Sequence, residues 1–478
     1  MGTFGRMFRD LTPWTPPGQT DVDRRANIQA IANQMISDAS QVGAINPSIP
    51  AAYTYLGQFV DHDITFDPLS ELQRQNDVNQ LHNFRTPRFD LDSLYGLGPD
   101  STPFLYDRTA PFGRFLIGKG KDTDVEKFPD PQGGDSADTS EHDLPRNAQA
   151  LALIGDPRND ENIIVSQMHL TFLRLHNRFL DIAQTENWPT PRATFERAQT
   201  LLRWHYQWVV LHDFLPRIIG QSTHGQILPR GGAPTLAFFK WESEAFIPVE
   251  FSVAAYRFGH SMVREHYDLN ATVQNVPIFV PPHDQPDPLD DLRGGRFLPR
   301  LWTIDWPHFF SQASLQIDTL LTPALAAIPA GPGGQNSLAF LNLLRGWRLE
   351  LPSGQAVARA MGVTPLTQAQ LGLDPAVAGP EAPLWYYVLK EAEVQHGGRH
   401  LGTVGGRIVG EVLVGLALDD PHSFLHVDPT WTPEKATLTS PTDRIVPVTG
   451  STLTLLDLLQ FAGPQPAPAA TPTPAVDA

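Results

Sequence analysis

A histidine between two aspartates, in residues 57–63 (GQFVDHD), is the first group in the chain whose residue types suggest chemistry. Histidine titrates near neutrality, so His62 is able to accept a proton from a reacting atom or return one to it. The same triplet also occurs at the solvated end of an ordinary helix, and His62 with Asp63 is compatible with a His-Asp metal site. Taken alone, the triplet leaves these three interpretations open.

A second group, residues 86–92 (TPRFDLD), carries several oxygen donors on what the sequence indicates is a short loop. Calcium binds carboxylate, hydroxyl and carbonyl oxygens on adaptable backbone, so Asp90 and Asp92 are candidate ligands of a hard cation. The alternative is that both aspartates bond to nearby backbone amides, as loop aspartates commonly do.

Three further segments set polar residues among apolar ones. Residues 155–161 (GDPRNDE) place Arg158 and Glu161 three apart, on one face of a helix, where the simplest interpretation is a surface ion pair. In residues 256–261 (YRFGHS), the glycine before His260 lets a broad, flat group approach the backbone closely. A histidine in an apolar helix is nevertheless more often structural. Residues 341–346 (LNLLRG) lie at the end of a predicted helix and include the amide of Asn342 and the guanidinium of Arg345. Alone, this segment does not indicate a function.

Together, and in this order, the five segments resemble the animal-type haem peroxidases, the peroxidase–cyclooxygenase superfamily. The resemblance extends from about residue 55 to residue 355 and rests on five ordered matches with their internal spacing intact. It implies haem b and Ca²⁺ as cofactors. Since the cysteines of the secreted mammalian members are absent, a bacterial-type relative is favoured.

The resemblance also implies a role for each matched residue. His62 would be the distal histidine with Gln58 beside it, His260 would be the proximal iron ligand, and Arg158 matches the distal arginine. Asn342 matches the asparagine that hydrogen-bonds the proximal histidine. The other residues near the haem are matched as propionate partners, Arg257 and Arg345, and as covalent-link candidates, Asp61 and Glu161. The implied calcium ligands are Asp63, Thr86, Arg88 through its carbonyl oxygen, Asp90 and Asp92.

The activity implied by the resemblance is that of a peroxidase, which reduces hydrogen peroxide and oxidises a small donor through a ferryl intermediate. Halides, thiocyanate and phenolic or other aromatic compounds are all admissible donors. Neutral His62 would take a proton from the bound oxygen and return it to the departing one, while Arg158 would stabilise the negative charge that develops there. Donation of a ring N–H from His260 to Asn342 would fix the proximal imidazole.

Three other functions compete with the peroxidase. A fatty-acid dioxygenase of the same superfamily needs a tyrosine three residues before the proximal histidine, a position that Arg257 occupies here, with Tyr256 one residue further away. A non-haem metal hydrolase built on His62 and Asp63 needs further histidines at the same ion. A non-catalytic haem-binding protein has no need of both His62 and Arg158.

Composition restricts the partners and the location. The chain has 52 acidic and 35 basic residues and a net charge of −17, which disfavours nucleic acid because phosphates would be repelled. It contains no cysteine, which excludes disulfides and thiolate ligation of a metal. No signal segment is visible near Met1, and no apolar run reaches the roughly 18 residues of a membrane helix. The expectation is therefore an intracellular protein without a membrane span.

The elements that must position these residues are predicted to be mainly helical. The 45 prolines and 37 glycines indicate short elements joined by long irregular loops. A helix is predicted after Gly155, capped by Asp156, with apolar residues at helical spacing through Phe179, and others over 251–263 and 336–345. We expect a mainly α fold with one large haem-peroxidase domain over 1–462 and a disordered Pro/Ala-rich tail over 463–478.

Overall fold

Helices make up most of the regular structure in the computed structural model, which describes residues 2–37, 44–66, 78, 81–118, 141–280, 289–328, 336–436, 438, 443–447, 450 and 452–463. The α-helices within these ranges are α1 (Asp21–Gln34), α2 (Ala52–Ile64), α3 (Asp92–Tyr95), α4 (Ile163–Thr185), α5 (Pro191–Val209), α6 (Leu215–Ile219), α7 (Gln221–Ile227), α8 (Trp306–Phe310), α9 (Leu338–Arg348), α10 (Gly354–Ala360), α11 (Gln368–Leu371), α12 (Pro375–Ala378), α13 (Leu384–His396), α14 (Thr403–Asp419), α15 (Phe424–Val427) and α16 (Leu455–Phe461). Tighter 3₁₀ turns span Pro103–Leu105, Pro157–Asp160, Ala255–Met262, Arg300–Trp302, Pro323–Ala326 and Pro433–Lys435, and wider π turns span Val210–Phe214 and Glu250–Ala254. The predicted mainly α fold is confirmed.

The strands are short and tie distant loops together. They are β1 (Gly2–Gly5), β2 (Ile45–Pro50), β3 (His82–Asn83), β4 (Ile247–Pro248), β5 (His266–Tyr267), β6 (Val276–Pro277) and β7 (Ala313–Leu315). Strand β1 pairs antiparallel with β3 and parallel with β4, while β2 pairs with β7 and β5 with β6, both antiparallel. One continuous cluster of buried apolar side chains extends from Phe4 to Phe461. The predicted tail lies, except for Gly463, outside the described residues.

Helix α2 is buried on most of its surface. It follows the β2 strand directly and buries the apolar side chains of Leu56, Phe59 and Val60. Helix α2 packs against α4, where Phe59 contacts Phe172 with ring centroids 4.7 Å apart. His62 and Asp63 near its end are buried as well, at 5% and 0% exposure. The interpretation of this triplet as a solvated helix end is therefore wrong.

The helix predicted after Gly155 is interrupted. Asp156 caps the 3₁₀ turn Pro157–Asp160, as expected of a cap residue, but α4 begins only at Ile163 with Asn162 as its own cap. Asn162 is extended because it forms an antiparallel bridge with Arg293, and Ile163 N–H donates to the Leu292 carbonyl at 2.9 Å. The interruption needs Gly294, since a Cβ there would lie 1.8 Å from the Asp160 carbonyl oxygen.

The segment predicted as a helix over 251–263 is helical but not α. A π turn, Glu250–Ala254, passes into the 3₁₀ turn Ala255–Met262, and Ala254 at the junction has φ −127° and ψ −75°. Buried Glu250 starts this segment and accepts the backbone N–H groups of Met7 and Phe8 at 3.0 and 3.1 Å. The third predicted helix is α9, which begins two residues later than expected, after Ser337, and ends three residues later.

A buried carboxylate from α13 caps helix α14. The cap position of α14 is Gly402, which has no side chain, and Glu391 instead accepts the N–H groups of Val404 and Gly405 at 2.8 and 3.3 Å. Glu391 is only 1% exposed, and burial raises its pKa to about 7. A folded-state pKa above the unfolded value stabilises the fold below pH 4.5, and this contribution disappears as the pH rises through 7.

We therefore predict that Glu391→Gln removes a pH dependence. The glutamine keeps an acceptor oxygen but cannot ionise, so the wild-type chain should lose about 3 kcal/mol relative to the variant between pH 4.5 and 7.5. Urea unfolding at several pH values measures this difference. Exposed Glu196→Gln is the control, and a wild-type-minus-Glu391→Gln difference that stays constant over this range would contradict the prediction.

Candidate active site

A cavity of about 630 Å³ lies between α2 and the 3₁₀ segment Ala255–Met262. Its volume is in the range of cavities that hold small molecules and cofactors. Six residues singled out from the sequence line it, namely Gln58, Asp61, His62, Glu161, Arg257 and His260. The two histidines reach this one cavity from segments almost two hundred residues apart in the chain.

Helix α2 contributes one face of the cavity. Thr54, Gln58, Asp61 and His62 are spaced four, three and one apart, which places them along one side of a helix. Asp63, one residue further on, lies about 100° around the helix and points away from the cavity. This spacing explains why His62 and Asp63 have different neighbours although they adjoin in the sequence.

His62 is held by an amide. Its Nδ1 lies 2.8 Å from Oδ1 of fully buried Asn159, whose Nδ2 lies 2.9 Å from Nδ1 of His169. Because the Asn159 oxygen can only accept, the ring proton of neutral His62 is on Nδ1, and Nε2 is left as a base. Burial, together with the charge of Arg158, lowers the pKa of His62 to about 4, so the ring is neutral near pH 7.

Two acidic side chains stand beside His62 in the cavity. Glu161 Oε1 is 3.9 Å from Nε2 of His62, and Glu161 accepts a hydrogen bond from Gln58. Half of the Glu161 side chain is exposed, but it faces the protein-lined cavity, and burial raises its pKa to about 7. Asp61 accepts a hydrogen bond from Thr65 at 3.0 Å.

Arg158 lies behind His62 and does not line the cavity. Its guanidinium donates to both oxygens of Asp156, at 3.1 and 2.7 Å, and to the carbonyl oxygens of His62 and Thr65 at 3.0 and 2.6 Å. Arg85 donates to the same buried Asp156 at 3.0 and 2.6 Å. Although burial opposes ionisation of Asp156, the hydrogen bonds and charges of Arg158 and Arg85 hold its pKa well below the usual range. The surface Arg158–Glu161 pair considered from the sequence is not what the structure contains.

His260, on the 3₁₀ segment Ala255–Met262, is hydrogen-bonded to Asn342 of α9, as expected from the sequence, but in the reverse sense. Arg257 Nη1 donates to Oδ1 of Asn342 at 2.5 Å, so Nδ2 of Asn342 faces Nδ1 of His260 at 2.8 Å. An amide nitrogen can only donate, hence His260 accepts here instead of donating. Burial, with the charge of Arg257, lowers the pKa of His260 to about 3.

The backbone beside His260 is open to the cavity. A Cβ placed on Gly259 would meet no atom within 4 Å, consistent with the close approach inferred for this glycine. Tyr256 also lines the cavity and is 7% exposed, and its hydroxyl is buried without a hydrogen-bond partner among the described residues. Arg345 lies one turn beyond Asn342 on α9 and does not line the cavity.

A separate acidic cluster lies on the other side of α2. Carboxylate oxygens of Asp63, Asp90 and Asp92 come within 4.8 Å of one another, and Thr86 Oγ1 donates to Asp90 at 2.8 Å. Arg88 is on the same loop, between Thr86 and Asp90. Burial raises the pKa of Asp92 to about 7 and that of Asp63 well above its usual value, where the charges of Asp90 and Asp92 add to the effect.

The loop of this cluster is strained. Leu91, between the two loop aspartates, adopts φ 56°, a left-handed conformation that a leucine rarely takes. Its N–H donates to Asp63 Oδ2 at 3.2 Å, and the Asp92 N–H donates to Asp90 Oδ1 at 3.1 Å. These bonds to backbone amides, which the sequence left open as an alternative, therefore coexist with the convergence of the three carboxylates.

Four residues at or beside the cavity carried no signal in isolation. Asn159 and Asp156 lie in a segment whose charged residues, Arg158 and Glu161, are its more conspicuous feature, and Asp156 there is typical of a helix cap. Tyr256 lies four residues before His260 instead of the three that a dioxygenase needs. Arg293 lies in a glycine-containing loop, residues 289–295, that resembles any other irregular connection, and only its bridge to Asn162 brings it to the cavity.

Comparisons with known proteins agree with this arrangement. Residues 71–285 match the family model described as animal haem peroxidase. A peroxidase-like protein of Margaritifera margaritifera is 35% identical over 126 residues, which are 24% of this chain and 14% of that protein. Thyroid peroxidase of Homo sapiens is 26% identical over 238 residues, 46% of this chain and 24% of that protein. The match thus spans less than a quarter of each relative's length.

Solved structures share the fold over nearly the whole chain. Peroxidase A from Dictyostelium discoideum superposes with a TM-score of 0.56 at 17% identity and covers 87% of this chain and 88% of that one. A fatty acid alpha-dioxygenase from Arabidopsis thaliana gives a TM-score of 0.58 at 15% identity and covers 86% and 73%. The family-model match and the shared fold agree with the resemblance to the animal haem peroxidases drawn from the five segments. Among the described residues, no helix has both the length and the hydropathy needed to cross a bilayer.

The buried pairing of Asp156 with Arg85 and Arg158 leads to a prediction about stability. Asp156→Asn keeps the shape and the cap oxygen but leaves two guanidinium groups without a full counter-charge. We expect a loss of about 3 kcal/mol in the free energy of unfolding, as for other broken buried ion pairs. Urea unfolding measures it.

Asp181→Asn is the matched control for this prediction. It breaks the exposed pair between Arg114 and Asp181, and such pairs contribute about 1 kcal/mol or less. Equal losses in the two variants would show that the buried cluster has no special role.

Proposed function

We propose that this chain is a haem-dependent peroxidase that reduces hydrogen peroxide and oxidises a small donor. The observation that carries the proposal is that His62 and His260, 198 positions apart in the sequence, line one cavity. A peroxidase needs one imidazole to hold iron and a second to handle the protons of peroxide. Peroxidase relatives over part of the chain support an oxidoreductase of this kind.

The residues of the cavity fit a haem. Nε2 of His260 has no protein partner in the described part of the chain, and Gly259 leaves open space beside it for a flat group. Arg257, at the cavity wall, would hold a haem propionate, with Arg345 as a second candidate. A bound haem would supply the iron that takes up peroxide and exchanges electrons with the donor.

Arg257 connects haem binding to the orientation of Asn342. While Arg257 donates to Asn342 Oδ1, the amide must donate to His260. If Arg257 turns to a propionate instead, Asn342 is free to rotate by half a turn, and Oδ1 then accepts from Nδ1–H of His260. Nε2 is thereby left with its lone pair for a metal, the tautomer that iron ligation requires.

On the other side, His62 would move the protons. Its Nε2 is unprotonated and faces the cavity, so it would accept a proton from one oxygen of a peroxide held there and return it to the other oxygen. Asn159 keeps the second ring proton on Nδ1 and thereby keeps Nε2 basic. Arg158, bound to the His62 carbonyl and to Asp156, would position the histidine and stabilise negative charge from behind it.

Asp61 and Glu161 stay predictions as sites of covalent attachment to haem. Both line the cavity, and both are carboxylates able to form an ester. Gln58 hydrogen-bonds Glu161 and would hold that carboxylate in place beside His62.

We propose calcium as a second cofactor, bound behind His62. Asp63, Asp90 and Asp92 supply three converging carboxylates, Thr86 adds a hydroxyl, and Arg88 would add its carbonyl oxygen. Arg85 is the cation that contacts this cluster, at 3.2 Å from Asp92, and it is shared with Asp156. Since Asp63 adjoins His62 on α2, a bound ion would fix the end of the helix that carries the proton-transferring imidazole.

A fatty-acid oxygenase is the second candidate function, and Tyr256 favours it. Tyr256 lines the same cavity and its buried hydroxyl has no partner among the described residues, although its spacing from His260 is four rather than three. Oxygen uptake with linoleate that is lost in Tyr256→Phe would favour this function over the peroxidase.

The metal hydrolase finds no support in the described residues. The only cluster of three metal-ligating side chains there contains aspartates, and no histidine joins it. His62 is bonded to Asn159 and faces the cavity, whereas Asp63 faces the acidic cluster.

Replacing His62 and replacing His260 are predicted to affect different properties, the reaction with peroxide and the haem spectrum respectively. His62→Leu should keep the Soret band of bound haem but slow the reaction with peroxide by about 10²–10⁴-fold, because the proton acceptor is lost. His260→Ala should change the Soret band itself, because the iron would lose its axial nitrogen. Absorption spectra and stopped-flow mixing with peroxide measure both effects.

Exposed His422→Ala is the control for these variants and should change neither property. Negligible effects of both site variants, or a purified wild-type chain that takes up no haem and shows no Soret band, would contradict the proposed function.

Calcium is predicted to stabilise the chain through Asp63. Ca²⁺ at about 100 times its Kd should add about 2.7 kcal/mol of stability and raise Tm by several degrees. Asp63→Asn should abolish that gain, whereas Asp10→Asn, at an exposed position, should keep it. Thermal melts with added Ca²⁺ or a chelator measure the effect, and an equal gain in wild type and Asp63→Asn would contradict the site.

A further inference from the structure

One wall of the cavity combines a guanidinium with apolar side chains. Arg293, Ile278 and Phe279 all line it, and they come from neighbouring backbone because the Leu292 N–H donates to the Pro277 carbonyl at 3.0 Å. Ile278 is buried and Phe279 is half-buried. The wall therefore presents one positive charge beside apolar surface.

A buried carboxylate fixes the direction of Arg293. Asp291 is fully buried and accepts hydrogen bonds from Arg293 N–H at 3.1 Å, from Arg293 Nε at 2.9 Å and from the Val280 N–H at 2.9 Å. These bonds use only the Nε edge of the guanidinium. The two terminal nitrogens of Arg293 have no acceptor in the described part of the chain, although a guanidinium normally donates from all three nitrogens.

The other charges in the cavity leave Arg293 as the place for an anion. Asp61 and Glu161 on the His62 side would repel one, and Asp160 gives both of its oxygens to Arg146, at 2.6 and 2.7 Å. Arg257, which also lines the cavity, is the proposed partner of a haem propionate, so it would not be available to a second anion. A bidentate carboxylate matches the two terminal nitrogens that Arg293 keeps available.

We propose that Arg293 binds the carboxylate of the electron donor and that Ile278 and Phe279 hold the donor's apolar part. The donor class is then an aromatic monocarboxylate whose ring carries an oxidisable hydroxyl group, rather than a halide or a neutral phenol. The role of this ligand as an electron donor rests on the proposed peroxidase function. Its binding to Arg293 does not, and can be measured without turnover.

The position of Arg293 favours a donor over a haem propionate as the source of the carboxylate. The backbone of Arg293 forms a β-bridge with Asn162, and Nδ2 of Asn162 donates to the side-chain oxygen of Gln58 at 3.1 Å. Gln58 lies one helical turn before His62 on α2. A carboxylate bound by Arg293 would therefore lie closer to α2, which carries His62, and the charge of Arg293 would offset the repulsion from Asp61 and Glu161. The arginines matched to propionates, Arg257 and Arg345, belong to the elements on the His260 side.

The test compares two ligands that differ in one charge, 4-hydroxyphenylacetate and 4-hydroxyphenylacetamide. Calorimetric titration of the full chain without peroxide should give roughly tenfold tighter binding of the carboxylate, the size of one charged hydrogen-bonded contact. Arg293→Gln should abolish this preference, and Arg293→Lys should restore part of it. Exposed Arg108→Gln, with the same change in net charge, should keep it.

In turnover with peroxide, Arg293→Gln should raise KM for the carboxylate and leave KM for the amide unchanged.

A preference that persists in Arg293→Gln, or that is absent from the wild type, would overturn the proposal.

A second titration separates the two sources of carboxylate. Haem and its dimethyl ester, followed by the Soret band, should bind Arg293→Gln as they bind the wild type. Selective loss of haem but not of the diester would assign Arg293 to a propionate and refute a donor site. Because calorimetry requires no turnover, a chain without peroxidase activity still tests the binding step.

Discussion

The break in helical structure at Asn162 is the constraint on which the site depends. An uninterrupted helix from Pro157 would turn its residues by 100° each and carry Asn159 and Glu161 away from their present directions. Instead, the extended Asn162 pairs with Arg293, and Gly294 lets the loop pass against the Asp160 carbonyl. This one junction sets the amide that orients His62, the carboxylate beside it and the guanidinium at the cavity wall.

The buried ion pairs in this region orient side chains of the site more than they add to the net free energy of unfolding. Asp156 joins Arg85 and Arg158, and Asp291 holds Arg293, in each case with bonds to both side chains and backbone. Ion pairs of this kind repay much of their desolvation cost only when their hydrogen bonds are complete. These ion pairs hold each long arginine side chain in one conformation, whereas an exposed arginine would adopt several.

Much of the site followed from residue type and order, and the rest depended on choices that a sequence does not display. The facing histidines, the Asn342 contact and the convergence of Asp63 with Asp90 and Asp92 could be predicted because five spaced segments resembled one family. The direction of Arg158 could not, since Asp156 competes for it at 2.7 Å and only the folded backbone decides between that carboxylate and the cavity. The sense of the Asn342 bond depends likewise on Arg257, a residue on a different element. Helix α4 was predicted too long because the strand-like pairing of Asn162 involves a residue 131 positions away.

The short N-terminal strand has a consequence that its size does not suggest. Strand β1 pairs with Ile247 and Pro248, shortly before the segment that carries His260. Two residues after β1, the backbone N–H groups of Met7 and Phe8 donate to Glu250. These contacts connect the first strand to the segment that carries His260, so the position of this imidazole depends on contacts between residues about 240 positions apart in the chain. Assembly of that half of the site is governed by long-range loop closure, so it should be among the last parts of the molecule to become ordered as the chain folds.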